Sequence, residues 1–122
     1  MKRVILTLTL AVAPISLQAA EFDVEIHNPT RGLYYTPLLV TAHPPAVSLF
    51  EAGDVASSEL QAMAEGGDIA PLVTVLDSAG ATTVANPAAG LLAPGATTMA
   101  TIDTNNATAN TQLSIVAMLL PT

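Results

Sequence analysis

The sequence predicts an all-β fold, an antiparallel β-sandwich with one or two short helices inserted between its strands. Three observations carry that expectation. The stretch "FDVEIHN", residues 22–28, alternates apolar and polar side chains, the pattern of a half-buried antiparallel strand. Pro87, Gly90, Pro94 and Gly95 punctuate the second half of the chain, which cuts it into short strands and turns. Only around "SSELQAMAEGG" does the period become clearly helical, so helix enters as an insertion and not as the scaffold.

The chain begins "MKRVILTLTLAVAPISLQAA", with Lys2 and Arg3 ahead of an uncharged, mostly apolar run from Val4 to Ala13. Pro14 breaks the run, and small residues follow at Ala19 and Ala20. That order is the anatomy of a secretory signal peptide, and the run is too short to span a bilayer comfortably. Residues 1–20 are therefore read as a leader cleaved at Ala19 or Ala20. Residues 21–122 are read as one domain, secreted or periplasmic, with no membrane span left after cleavage. The absence of cysteine excludes a lipid-anchored variant and any disulfide framework, so a hydrophobic core must hold the fold. About a hundred residues can form one modest domain. Without Lys2 and Arg3, ten acids face the single cation Arg31, a formal charge of −9. Such a chain repels nucleic acid and anionic lipid, which are bound through Lys and Arg.

Along the mature chain, Phe22, Val24 and Ile26 point one way and Asp23, Glu25 and His27 the other. The cluster Asn28-Pro29-Thr30-Arg31-Gly32 ends this first strand in a turn. Tyr35 to Ala42 supplies a second strand, stopped at His43-Pro44-Pro45 because proline cannot donate to a ladder. Ala46 to Phe50 is a short extended segment leading into Gly53. Ser58 and Gln61 fit a capping box, with Leu60, Met63 and Ala64 on one helical face and Gly66 or Gly67 closing the helix. For Ile69 to Leu76, Pro71 in a first turn favours a second short helix, against the strand preference of Val73 and Val75. Ala96 to Asp103 is a strand with Met99 and Ile102 as packing residues, and "TNNATANT" is a polar loop. Thr111 to Leu120 is the most apolar strand and is expected near the centre of a sheet. The sequence stops at Pro121-Thr122, directly after it. Either further strands are missing, or one sheet edge is left bare.

The chemistry-bearing residues are few. His43 with Ser48 or Asp54 contains the ingredients of a hydrolytic site, and His27 and Ser58 add two more such side chains. No Gly-x-Ser-x-Gly elbow surrounds either serine. Two histidines without cysteine do not make a structural zinc site. Asp103 and Asn105 open like a calcium loop, but Ala107 fills the next ligand position and no glycine or terminal glutamate follows. Asn106-Ala107-Thr108 matches a glycosylation acceptor, whereas Asn28-Pro29-Thr30 is ruled out by its proline. Glu51, Asp54, Glu59, Glu65 and Asp68 read as a solvated acidic face, with a weak divalent-cation surface as the sharper alternative.

Residues 24–72, "VEIHNPTRGLYYTPLLVTAHPPAVSLFEAGDVASSELQAMAEGGDIAPL", resemble the spondin N-terminal domain family in its secreted bacterial form. The shared pattern is a strand, a T-x-G turn with a later Thr-Pro, a strand ending near His, then S-L-F-x-x-G, a short helix and G-D-x-x-P-L. "PGATTMATID" and "LSIVAMLLPT" resemble the family's later strands. The resemblance implies a C2-like sandwich and a non-enzymatic binding or adhesion module of the cell envelope or extracellular space. Its ligand would be an unknown protein or carbohydrate. It also implies calcium, but the acidic segment expected to hold it lies in strands without a counterpart here, so no numbered residue inherits that role. On this reading 21–122 is incomplete at its C-terminus. The alternatives are a small secreted hydrolase using His43 with Ser48 or Asp54, and an inactive truncated remnant.

Overall fold

A computed structural model describes residues 20–122; the leader expected at 1–20 lies outside these residues, but for Ala20. The elements follow as β1 (Glu21–His27), β2 (Tyr34–Tyr35), β3 (Leu39–His43), α1 (Ser58–Gly66), α2 (Ala70–Ser78), β4 (Thr82–Ala85), β5 (Thr97–Asp103), β6 (Gln112–Val116) and β7 (Leu119–Leu120). Every ladder is antiparallel: β1 with β5, β2 with β7, and a three-stranded sheet in the order β4-β3-β6. The fold is all-β, with two short helices between its strands.

The central strand is β3, which corrects the expectation for residues 111–120. All five residues of β3 are buried, because both of its faces are covered. Leu39 joins Met63, Leu72 and Leu76 in a core beneath the helices. Val40 and Ala42 point the other way and pack with Ala100 and Ile102 of the β1–β5 ribbon. Burying each large aliphatic side chain contributes about 1.5–3 kcal/mol, so the two small cores rest mainly on β3. The apolar stretch 111–120 is split instead into β6 and β7, and β6 lies at a sheet edge.

The strand expected over Tyr35–Ala42 is also interrupted. Tyr35 pairs with Leu119 and Leu39 with Val116, so three residues on one side face two on the other. The extra residue makes a bulge, and Pro37, which has no N–H to offer a ladder, stands in it. The Thr36 hydroxyl takes up the slack by accepting the Met118 N–H at 2.8 Å.

Helix α1 is capped one residue earlier than expected. Ser57, not Ser58, accepts the Leu60 N–H at 3.1 Å, so Gln61 closes no box and donates to Glu65 instead. Met63 is buried but Ala64 is exposed, since the apolar stripe on so short a helix is narrow. Gly67 ends α1 at φ 67°, and a Cβ there would stand 3.0 Å from Thr36 Cγ2. Both the conformation and the close approach require glycine. In α2, Pro71 occupies the first turn, and Leu72 and Leu76, four apart, bury one face.

On the ribbon, Val24 and Ile26 turn inward while Asp23, Glu25 and His27 are exposed. Phe22, at the end of the same face, stays 36% exposed. Ile102 is fully buried, but Met99 is 53% exposed, contrary to its expected packing role. Period two puts Ala100 with Ile102 and leaves Met99 on the outer face.

Candidate functional site

The segment 28–37, which gathers both tyrosines and Arg31, is organised by a buried polar hub. Asn28 is fully buried. Its amide donates to the Leu33 carbonyl at 2.8 Å and the Leu92 carbonyl at 3.0 Å. Its Oδ1 accepts the Thr30 N–H at 3.1 Å and lies 2.7 Å from the Thr30 hydroxyl. Tyr35 then bridges to Leu92 through both backbone groups. These bonds shape a connection, and they leave Arg31 and Tyr34 exposed on its surface.

His43 is buried, and both of its ring nitrogens are engaged. Nδ1 lies 3.0 Å from the Pro44 carbonyl oxygen, which can only accept. The proton of a neutral ring therefore sits on Nδ1, and Nε2 accepts the Ser114 hydroxyl at 2.8 Å. The sequence grouped His43 with Ser48 or Asp54; the structure pairs it with Ser114. Ser48 donates to the Phe50 carbonyl at 2.7 Å, and Asp54 belongs to a neighbouring hollow with Ala56 and Ser57. A serine aligned on an oriented imidazole is half of a nucleophilic site. Ser114 nevertheless lies inside a strand opposite Thr41, with no glycine-rich turn beside it to group oxyanion donors. His27 is exposed and bonds Thr97 Oγ1 at 2.9 Å, on the β1–β5 ribbon and not in the β4-β3-β6 sheet that carries this pair.

Beside this pair lies a groove of about 540 Å³. One wall is the whole of β6, Gln112 to Val116, and the other is the 45–51 loop with Val47, Leu49, Phe50 and Glu51. The register decides what β6 presents there. Asn86 donates to the Leu38 carbonyl at 2.7 Å, so even-numbered residues of this segment bond toward β4 and odd-numbered ones toward β6. Thr41 thus meets Ser114 through backbone bonds, as Leu39 meets Val116 and His43 meets Gln112. Leu113 and Ile115 direct their N–H and C=O groups away from the sheet. Among the described residues no strand pairs with that edge. Their side chains are 45% and 43% exposed, on the face opposite the helices. This edge was missed in the sequence because its alternation is inverted. Ser114 turns inward to His43 while Leu113 and Ile115 turn out, the reverse of the usual burial rule.

The acids expected to form a solvated face are exposed or half-buried along 51–68. Asp103 accepts the Asn105 N–H at 2.8 Å, using its carboxylate to close its own turn. No three His, Cys, Asp or Glu side chains converge among the described residues. Glu59 is held below the ordinary carboxylate range, chiefly by its own backbone N–H and then by the Ser58 and Ser57 hydroxyls. That places its charge at the N-terminus of α1, where it favours the helix. No helix among these residues is long and apolar enough to cross a membrane.

No family model, curated protein or solved structure matches the chain.

Proposed function

We propose that this chain is an exported, non-enzymatic binding module of spondin type, a C2-like sandwich that holds a ligand in the cell envelope or outside. The observation that carries the binding reading is the β6 edge, where Leu113 and Ile115 combine outward backbone groups with exposed apolar side chains. The leader-like residues Lys2 to Ala20 support export, and ten acids against Arg31 argue against nucleic acid and anionic lipid as the ligand.

The test joins location to site. The full chain, expressed in a Gram-negative host, should appear in the periplasm or medium with a mature start at Ala20 or Glu21 by intact mass. A photo-crosslinking residue at Ile115 should capture a ligand there, whereas one at Val75, equally exposed on α2, should not. Full-length cytoplasmic protein, or equal capture at both positions, would refute the reading. The rival hydrolase would have to act through Ser114, given its 2.8 Å bond to His43. Labelling of Ser114 by a fluorophosphonate, abolished in His43→Ala, would displace the binding reading in its favour.

A further inference from the structure

The geometry points to one occupant for the groove beside β6: a single extended peptide segment of basic character, added as a fourth strand to β4-β3-β6. This inference rests on the binding-module reading and names the ligand class for the same edge.

Three observations converge on it. First, the outward N–H and C=O groups of Leu113 and Ile115 recur every second residue, a spacing that another extended backbone satisfies along its length. Second, the edge is unguarded. Edge strands are ordinarily blunted by lysine, proline, bulges or inward charges, yet Gln112 to Val116 contains no proline and no charge. The opposite edge, β4, is only four residues long and packs beside α2 and β5. Third, the groove has a second wall. The 45–51 loop faces β6 across about 540 Å³, a space of the size a bound ligand segment occupies.

Charge selects among extended partners. Residues 20–122 carry ten acids and one cation, and Glu51 stands in the groove wall itself. A second copy of residues 20–122 would bring the same charge of −9 (one cation, ten acids) against it, which like-charge repulsion opposes. A strand bearing Lys or Arg is attracted. The two faces of the added strand then differ. Side chains beside Leu113 and Ile115 meet an exposed apolar pair, where aliphatic cross-strand neighbours stabilise. Side chains on the alternate face look toward Ser48, Glu51 and Ser114, where basic or hydroxylated residues fit. The recognised pattern is an alternation of aliphatic and basic residues.

The probe is a synthetic heptapeptide alternating lysine and valine, titrated into the full chain. It should bind saturably and slow amide exchange at Leu113 and Ile115 about tenfold or more, with no comparable change at Leu39 or Ile102. A glutamate-for-lysine peptide should bind about tenfold more weakly, and N-methylation on alternate residues should abolish binding. Ile115→Pro removes one outward N–H while sparing the bonds to β3, as edge positions allow; it should lose the peptide with its melting curve little changed. Equal binding of the N-methylated or glutamate peptides, binding without protection at Leu113 and Ile115, or a β6-mediated dimer that excludes the peptide would overturn the inference. If Ile115→Pro fails to fold, the peptide analogues decide alone. Crosslinking at Ile115 without peptide binding sinks this inference and leaves the binding module standing; loss of both sinks both.

Discussion

Asn28→Ala should be among the most damaging single substitutions in this chain, although it removes no charge and little apolar area. Asn28 is fully buried, and its amide serves three backbone groups. The Leu33 and Leu92 carbonyls would each lose a donor but retain another, the Thr30 hydroxyl at 2.8 Å and the Tyr35 N–H at 3.1 Å. Each such loss costs about 0.5–1.5 kcal/mol. The Thr30 N–H would lose its acceptor outright, at about 1–3 kcal/mol. Together these give a loss of about 4 kcal/mol, against a total stability of about 5–10 kcal/mol for a domain of this size. At about 4–8 °C per kcal/mol for a small domain, thermal unfolding by circular dichroism should fall by about 15–30 °C. His27→Ala is the control, because the His27–Thr97 bond is exposed and should be worth no more than about 0.5 kcal/mol. A loss below about 1 kcal/mol in Asn28→Ala, or equal losses in the two variants, would show that the hub does not hold the 28–37 connection.

Two further outcomes follow from the same structure. Met63→Asp buries an unpaired charge under α1 and should cost more than about 3 kcal/mol in urea unfolding, whereas Met99→Asp, on the outer face of β5, should stay within about 0.5 kcal/mol; comparable losses would contradict the facing of one of the two. Glu59, whose carboxyl titrates below the ordinary range in the folded chain, supplies stability present above its unfolded pKa and lost as pH falls through the folded one. The difference in urea midpoint between the wild type and Glu59→Gln should therefore be visible at pH 7 and vanish in strong acid, and a difference unchanged by acidification would refute that linkage.

The local elements are legible in the residues wherever one residue type dictates one conformation. Alternation from Phe22 to His27 specifies a strand because successive side chains must face opposite ways, Pro71 starts a helix because its missing N–H costs nothing there, and Gly67 ends one because it accepts positive φ. What lay beyond local reading was which face of each strand another element would cover. Ile102 and Met99 have equal claim to a core by hydrophobicity, and only the ribbon's placement over Val40 and Ala42 decides for Ile102. The stretch 111–120 is the most apolar of the expected strands, yet five buried residues make β3 the centre and leave β6 at the rim. His43 found Ser114, 71 residues away, and not the nearby Ser48, because strand pairing brings distant residues closer than chain neighbours in a loop. Short-range pattern sets conformation, while register and layer contact, which depend on residues far apart in sequence, set burial, and with it the uncharged β6 edge, unpaired among the described residues, on which the proposed function rests.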